Sequence, residues 1–104
     1  MRFRTAMGEL CTLMLLRQLT SDSFARWVRR YYGEPKDQSS AGLVRLVAKH
    51  HAQPHPLDTL RVLEFDRYLQ GQELRDSGFK RAMLELRNVF ARNANIAPAE
   101  SQST

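Results

Sequence analysis

Apolar side chains recur along this chain three and four positions apart, the spacing of a helix face and not the alternation of a strand. The clearest case is the stretch from Leu19 to Gly33. Phe24, Trp27, Val28 and Tyr31 stand at i, i+3, i+4 and i+7 and share one side, while Arg26, Arg29 and Arg30 fall on the opposite one. Thr20 or Ser21 can accept from the free amides of the first turn, Asp22 suits the positive end of the helix dipole, and Leu19 can staple onto Phe24. Gly33 permits a left-handed stop, and Pro35 prevents continuation.

The same spacing predicts four more helices. From about Phe3 to Leu19, Phe3, Met7, Leu10 and Met14 form a stripe with Cys11 and Leu15 beside it. Leu13 and Leu16 widen its apolar surface, so this helix is expected to lie centrally in the fold, with a Met- and Leu-rich face exposed as a partner-binding groove as the alternative. Ser39 or Ser40 caps a helix over about 41–51, with Leu43, Val44, Leu46 and Val47 inward and Arg45 and Lys49 one turn apart outside. Asp58 is expected to cap a fourth, stapled by Leu57 and Val62 and stopped at Gly71. Its apolar residues, from Leu60 through Val62, Leu63, Phe65 and Tyr68 to Leu69, overflow one narrow stripe, and a strand over 60–65 is the alternative; alternation fails there, which favours helix. Asp76 or Ser77 opens the last helix, whose face is Phe79, Ala82, Met83, Leu86, Val89 and Phe90, with Lys80, Arg81, Glu85, Arg87 and Arg92 read as a basic exterior.

These elements define an all-α fold, a compact bundle of about five helices. A chain of 104 residues, 42% apolar and 26% charged, reads as a single helical domain over 1–93, followed by a small, polar stretch over 94–104 expected to be a disordered tail. No run reaches the roughly 18 to 20 apolar residues that span a bilayer. Arg2 and Arg4 precede an apolar run in the manner of a leader, but Glu9 interrupts it and no small-residue cleavage site follows Leu19. The single Cys11 cannot form an internal disulfide and reads as a buried, reduced thiol, which favours a cytoplasmic location.

Sixteen basic residues against eleven acidic ones give a net charge of +5, which turns attention to anionic partners. The candidate contact residues are Arg26, Arg29 and Arg30 on one helix and Arg45 and Lys49 on the next. A DNA-reading pair built from those helices would need a turn of three or four residues, and the connection from Gly33 to Ser40 is longer. Nucleic-acid binding is therefore the alternative to a protein partner. A peripheral membrane role would need apolar residues that the second helix uses for its core.

His50, His51 and His55 invite a metal site, since neutral imidazoles bind zinc, copper or nickel. Pro54 and Pro56 break the helix on which His51 and His55 would face one another, so the segment reads as an exposed linker with a pH-sensitive cluster as the alternative, and neither metal nor cofactor is expected. Glu64 and Asp66, flanked by Arg61 and Arg67, suggest surface pairing and not a carboxylate dyad. No nucleophile has a base at a recognisable spacing, no glycine-rich phosphate loop is present, and the chain reads as non-enzymatic.

Three stretches carry a family likeness: Leu15-Leu16-Arg17-Gln18-Leu19-Thr20-Ser21-Asp22-Ser23-Phe24-Ala25-Arg26-Trp27-Val28-Arg29, Ser39-Ser40-Ala41-Gly42-Leu43-Val44, and Arg75-Asp76-Ser77-Gly78-Phe79. Together they resemble bacterial effector-associated, Death-like adaptor domains over about half the chain; 53–74 departs from that pattern, and the closing Arg-Pro is absent. The resemblance implies a helical adaptor that recruits or self-associates through like-with-like contacts.

Overall fold

The computed structural model describes residues 3–71 and 76–99; Arg2, Arg75 and residues 100–104 of the expected tail lie outside them. It contains α1 (Phe3–Leu15), α2 (Ser21–Tyr32), α3 (Ser40–His50), α4 (Asp58–Gln70) and α5 (Ser77–Asn93), and no strand among the described residues. The segment 60–65 is thus helical. The main contacts run α1 to α2, α2 to α3, α3 to α5, α5 to α4 and α4 back to α1, closing a ring. Trp27, Phe24, Phe65, Phe90, Met7, Leu10, Met83 and Leu86 fill its interior.

Local chemistry accounts for the helix ends. At α2 the Thr20 hydroxyl accepts from the Ser23 amide at 3.1 Å, and the Ser23 hydroxyl accepts from the Thr20 amide at 2.8 Å, a reciprocal cap with serine at the third position. Ser39 caps α3 through the Gly42 amide at 3.0 Å, and Asp76 caps α5 through the Phe79 amide at 3.1 Å. Asp58 acts differently from the expectation. It lies inside the first turn of α4, with Leu57 at the cap position, and its buried carboxylate accepts from the His55 amide at 2.7 Å, tying back the chain that enters the helix. Gly42 is required by close approach: a methyl there would stand 2.5 Å from the Asp37 carbonyl oxygen.

α1 ends at Leu15, four residues short of the expected limit. The Arg17 amide donates to Met14 and the Gln18 amide to Leu13, with Arg17 left-handed at φ 57°, the pairing that closes a helix usually at glycine. α5 closes in the same way on Asn95, with the Ile96 amide donating to Ala91 and Ile96 packed against the core. Beyond it, Ala97 accepts from Arg87 at 2.9 Å, and Ala99 exchanges two hydrogen bonds with the Asn88 side chain. The described part of the polar C-terminal stretch is therefore laid back along α5.

α1 does not occupy the centre. It forms one wall of the ring, against α2 and α4, and Leu15 and Leu16 at its end face outward. The helix with the most extensive packing is α5, which contacts both α3 and α4. Two further residues read as surface groups are interior. Arg87 and Arg61 are each 7% exposed. Arg87 follows Met83 by four positions and precedes Phe90 by three, so its stem belongs to the apolar face of α5, and its guanidinium reaches Asp66 on α4 at 2.8 and 3.2 Å.

Candidate functional site

The five cations proposed as partner contacts lie on the exposed sides of α2 and α3, and three of them already have carboxylate partners. Arg30 pairs with Glu9 of α1 at 2.9 Å. Arg29 lies 3.5 Å from Glu34 and donates to Gln38 at 2.7 Å, and Arg45 pairs with Asp37. The Ser39 backbone amide, then the Ser39 side chain and Arg45, hold the Asp37 carboxyl below its ordinary range. Arg26 and Lys49 have no ion pair among the described residues. The expected cationic face is thus a surface of alternating sign. Pairs this exposed contribute little to stability, but each neutralises charge that a phosphate backbone would need.

The histidines separate into different environments. His51, the residue that ends α3, is buried: its Nε2 lies 2.6 Å from the Tyr32 hydroxyl, its carbonyl accepts from Asn93 of α5 at 2.7 Å, and its ring meets Phe3 and Phe90. His55 stacks on Phe3 at 4.1 Å, and His50 stays exposed with its Nδ1 at the Leu46 carbonyl. The reading of this stretch as an exposed linker is corrected at His51, which follows Val44 and Val47 by seven and four positions and shares their inward face. Burial, then the neighbouring His50 and His55, lowers the His51 pKa to about 4 from its ordinary 6.5. Burial also raises the Tyr32 hydroxyl well above its usual value, so the hydrogen bond joins two neutral groups at neutral pH.

A pH dependence follows with a defined sign. Between about pH 4 and 6.5 the unfolded chain binds a proton at His51 that the native chain refuses, so stability is full above that window and falls as pH decreases through it. Urea denaturation at pH 7 and pH 5 should differ by roughly 1–2 kcal/mol from this group. His51→Gln, uncharged at both pH values, should flatten the difference; an unchanged slope in that variant assigns it elsewhere.

Between α1 and α4 lies a cavity of about 340 Å³. Cys11, Met14 and Tyr68 form its inner surface, Leu15 and Thr12 one wall and Glu64 and Arg67 the other. Arg17 closes one end by donating to the Gly71 carbonyl at 2.8 Å, which fixes α1 against the end of α4. Behind the cavity Arg61 donates to Glu64 and, at 3.2 Å, to the Cys11 sulfur; its Nε has no partner. Burial first, then Glu64, pushes the Cys11 thiol to about 12, which keeps it protonated and unreactive as a nucleophile.

Leu15, in the wall of this cavity, is one of four exposed leucines at the end of α1 and on α4. Leu15, Leu16, Leu60 and Leu63 are 76, 57, 47 and 56% exposed, and every one belongs to the end of α1 or to α4. At 100° per residue Leu60 falls on the same stripe as Glu64, Arg67 and Gly71, with Leu63 beside it. The sequence reads Leu15 and Leu16 as core, with an exposed partner-binding face of the first helix as the alternative, and leaves the α4 leucines as an overflow beyond one stripe. Their signal is the excess of apolar residues over one helical stripe, in α4 and again at the end of α1.

No protein-family model, curated protein or solved structure matches the chain. Function is accordingly argued from these surfaces and not from kinship.

Proposed function

We propose that this chain is a non-catalytic protein-interaction module that docks a partner on the face formed by α1 and α4. The observation that carries the reading is a ready-made cavity between α1 and α4 with the exposed Leu15 in its wall, and three more exposed leucines, Leu16, Leu60 and Leu63, at the end of α1 and on α4. Isolated exposed leucines are ordinary, but several on two adjoining helices beside a concavity are the usual character of a docking surface. Burying one such side chain fully is worth about 1.5–3 kcal/mol, so two or three are enough for the centre of an interface. The Death-like resemblance points to the same functional class. Nucleic-acid binding is less well supported, because Arg29, Arg30 and Arg45 already hold carboxylates.

Photo-crosslinking in the source cells tests the reading. A benzophenone side chain placed at position 63 or 15 is expected to yield discrete protein adducts that the same probe at position 26 or 49 does not. Adducts to nucleic acid, concentrated at 26 and 49, move the function to the second reading. An absence of discrete adducts at 63 and 15 overturns the first.

A further inference from the structure

We infer that the groove between α1 and α4 takes an acidic amphipathic segment of a partner protein, apolar side chains seated in the cavity and carboxylates set against Arg17 and Arg67. This rests on the interaction reading above and adds the chemistry of the occupant.

Charge decides between occupants. Among the described residues Glu64 is the one acid lining the cavity, and it is engaged by Arg61. Arg67, exposed on the opposite wall from Leu15, makes no hydrogen bond or ion pair among the described residues, and Arg17 engages one nitrogen with the Gly71 carbonyl. Among the described residues the charge left uncompensated at this groove is positive. Arg17 is also held left-handed, at φ 57°, where glycine is the relaxed residue. An arginine there places a guanidinium at the groove end, which glycine could not do.

A second copy of this chain fits less well. A two-fold contact would bring the same patch, Arg17 and Arg67 included, against itself, with the net charge of +5 adding to the repulsion. Shape separates a peptide from a membrane. A bilayer is met by a convex apolar edge, whereas a recess of about 340 Å³ lies near the lower bound of ligand pockets and suits the side chains of an inserted segment. An amphipathic helix with apolar residues three and four apart and acidic neighbours meets both requirements.

Selection from a random peptide library displayed on phage, using the full chain as bait, tests the assignment. The enriched sequences are expected to combine leucine-like residues at helical spacing with Asp and Glu. A synthetic peptide made from them should lose about tenfold or more in affinity with Arg67→Glu or Leu63→Glu, and keep it with Lys36→Glu, an exposed cation between α2 and α3. Positions 63 and 67 are exposed, and unchanged helicity and melting establish that the variants are folded.

Enrichment of neutral or basic sequences that depend on Leu63 overturns the acidic assignment and leaves the interaction reading standing. No enrichment, alongside persistent crosslinks at position 63, does the same. Leu63-dependent binding to vesicles of mixed phosphatidylglycerol and phosphatidylcholine without peptide enrichment replaces the partner with a membrane surface. Concentration-dependent dimerisation abolished by Leu63→Glu replaces it with a second copy.

Discussion

Replacing Trp27 by alanine is expected to lower stability by about 4 kcal/mol, the largest loss from any single side chain in this fold. Trp27 is 1% exposed and lies between Phe24, Tyr31 and Tyr32, with ring centres 5.2 to 6.2 Å away. Its indole donates to the Ala6 carbonyl of α1 at 2.7 Å, so one side chain fills the interior and joins two walls of the ring. A domain of this size has about 5–15 kcal/mol in total, and the variant should therefore be partly unfolded at moderate temperature. Urea denaturation followed by circular dichroism should show the midpoint falling by about 2 M. Trp27→Phe retains most of the apolar volume without the donor and should lose much less. A loss below about 1 kcal/mol for Trp27→Ala would contradict the placement of the α2 aromatic face in the core.

The second large effect is asymmetric. Arg87 is buried and donates to both oxygens of Asp66, to the Asn88 side chain and to the Ala97 carbonyl, so one guanidinium joins α5 to α4 and holds the returning C-terminal stretch. Removing Asp66 leaves a buried cation without its counter-charge. Such a loss costs about 3–5 kcal/mol at a dry site, and about 2–3 here because the Asp66 side chain is 36% exposed and water can enter. Replacing Arg87 by methionine removes the cation and keeps much of the stem, leaving Asp66 free to hydrate, and should cost about 1 kcal/mol. The double variant should lie close to Arg87→Met alone, well above Asp66→Ala. Additive losses in a double-mutant cycle would show that the two residues are not coupled.

Arg87 also illustrates where the sequence was legible and where it was misread. Helix positions and most caps follow from local chemistry, and Thr20, Ser39 and Asp76 all cap as their residue types imply. The misreadings share a cause. Arg87, Arg61 and His51 were assigned by their polarity to the surface, although each occupies a core register: Arg87 with Met83 and Phe90, Arg61 with Asp58 and Phe65, His51 with Val44 and Val47. Register decides which way a side chain leaves the helix, and burial then follows if a neighbouring helix supplies a partner. Asp66 and Tyr32 supply such partners from other helices, whereas Arg61 finds Glu64 one turn along its own helix and the Cys11 sulfur across on α1.

The leucines are the reverse case. Leu15, Leu16, Leu60 and Leu63 are apolar but off the core stripe, and the surplus was visible as a stripe too wide for one interface. What the sequence could not supply was the neighbour relation that sets the end of α1 beside α4, with Leu15 in the wall of the cavity between them. Likewise the charge count and the Arg26, Arg29 and Arg30 spacing were evident, whereas the pairing of Arg30 with Glu9 and of Arg45 with Asp37 needed the fold.

From the sequence alone came the all-α class, the five helices and the aromatic side of α2, because periodicity, caps and stops act within a few residues of themselves. The tertiary structure alone decided the order of helices around the ring, which polar groups are buried, and which apolar ones are left outside. Those outcomes depend on contacts between residues as far apart as Arg17 and Gly71 or Glu9 and Arg30, and no local pattern encodes them.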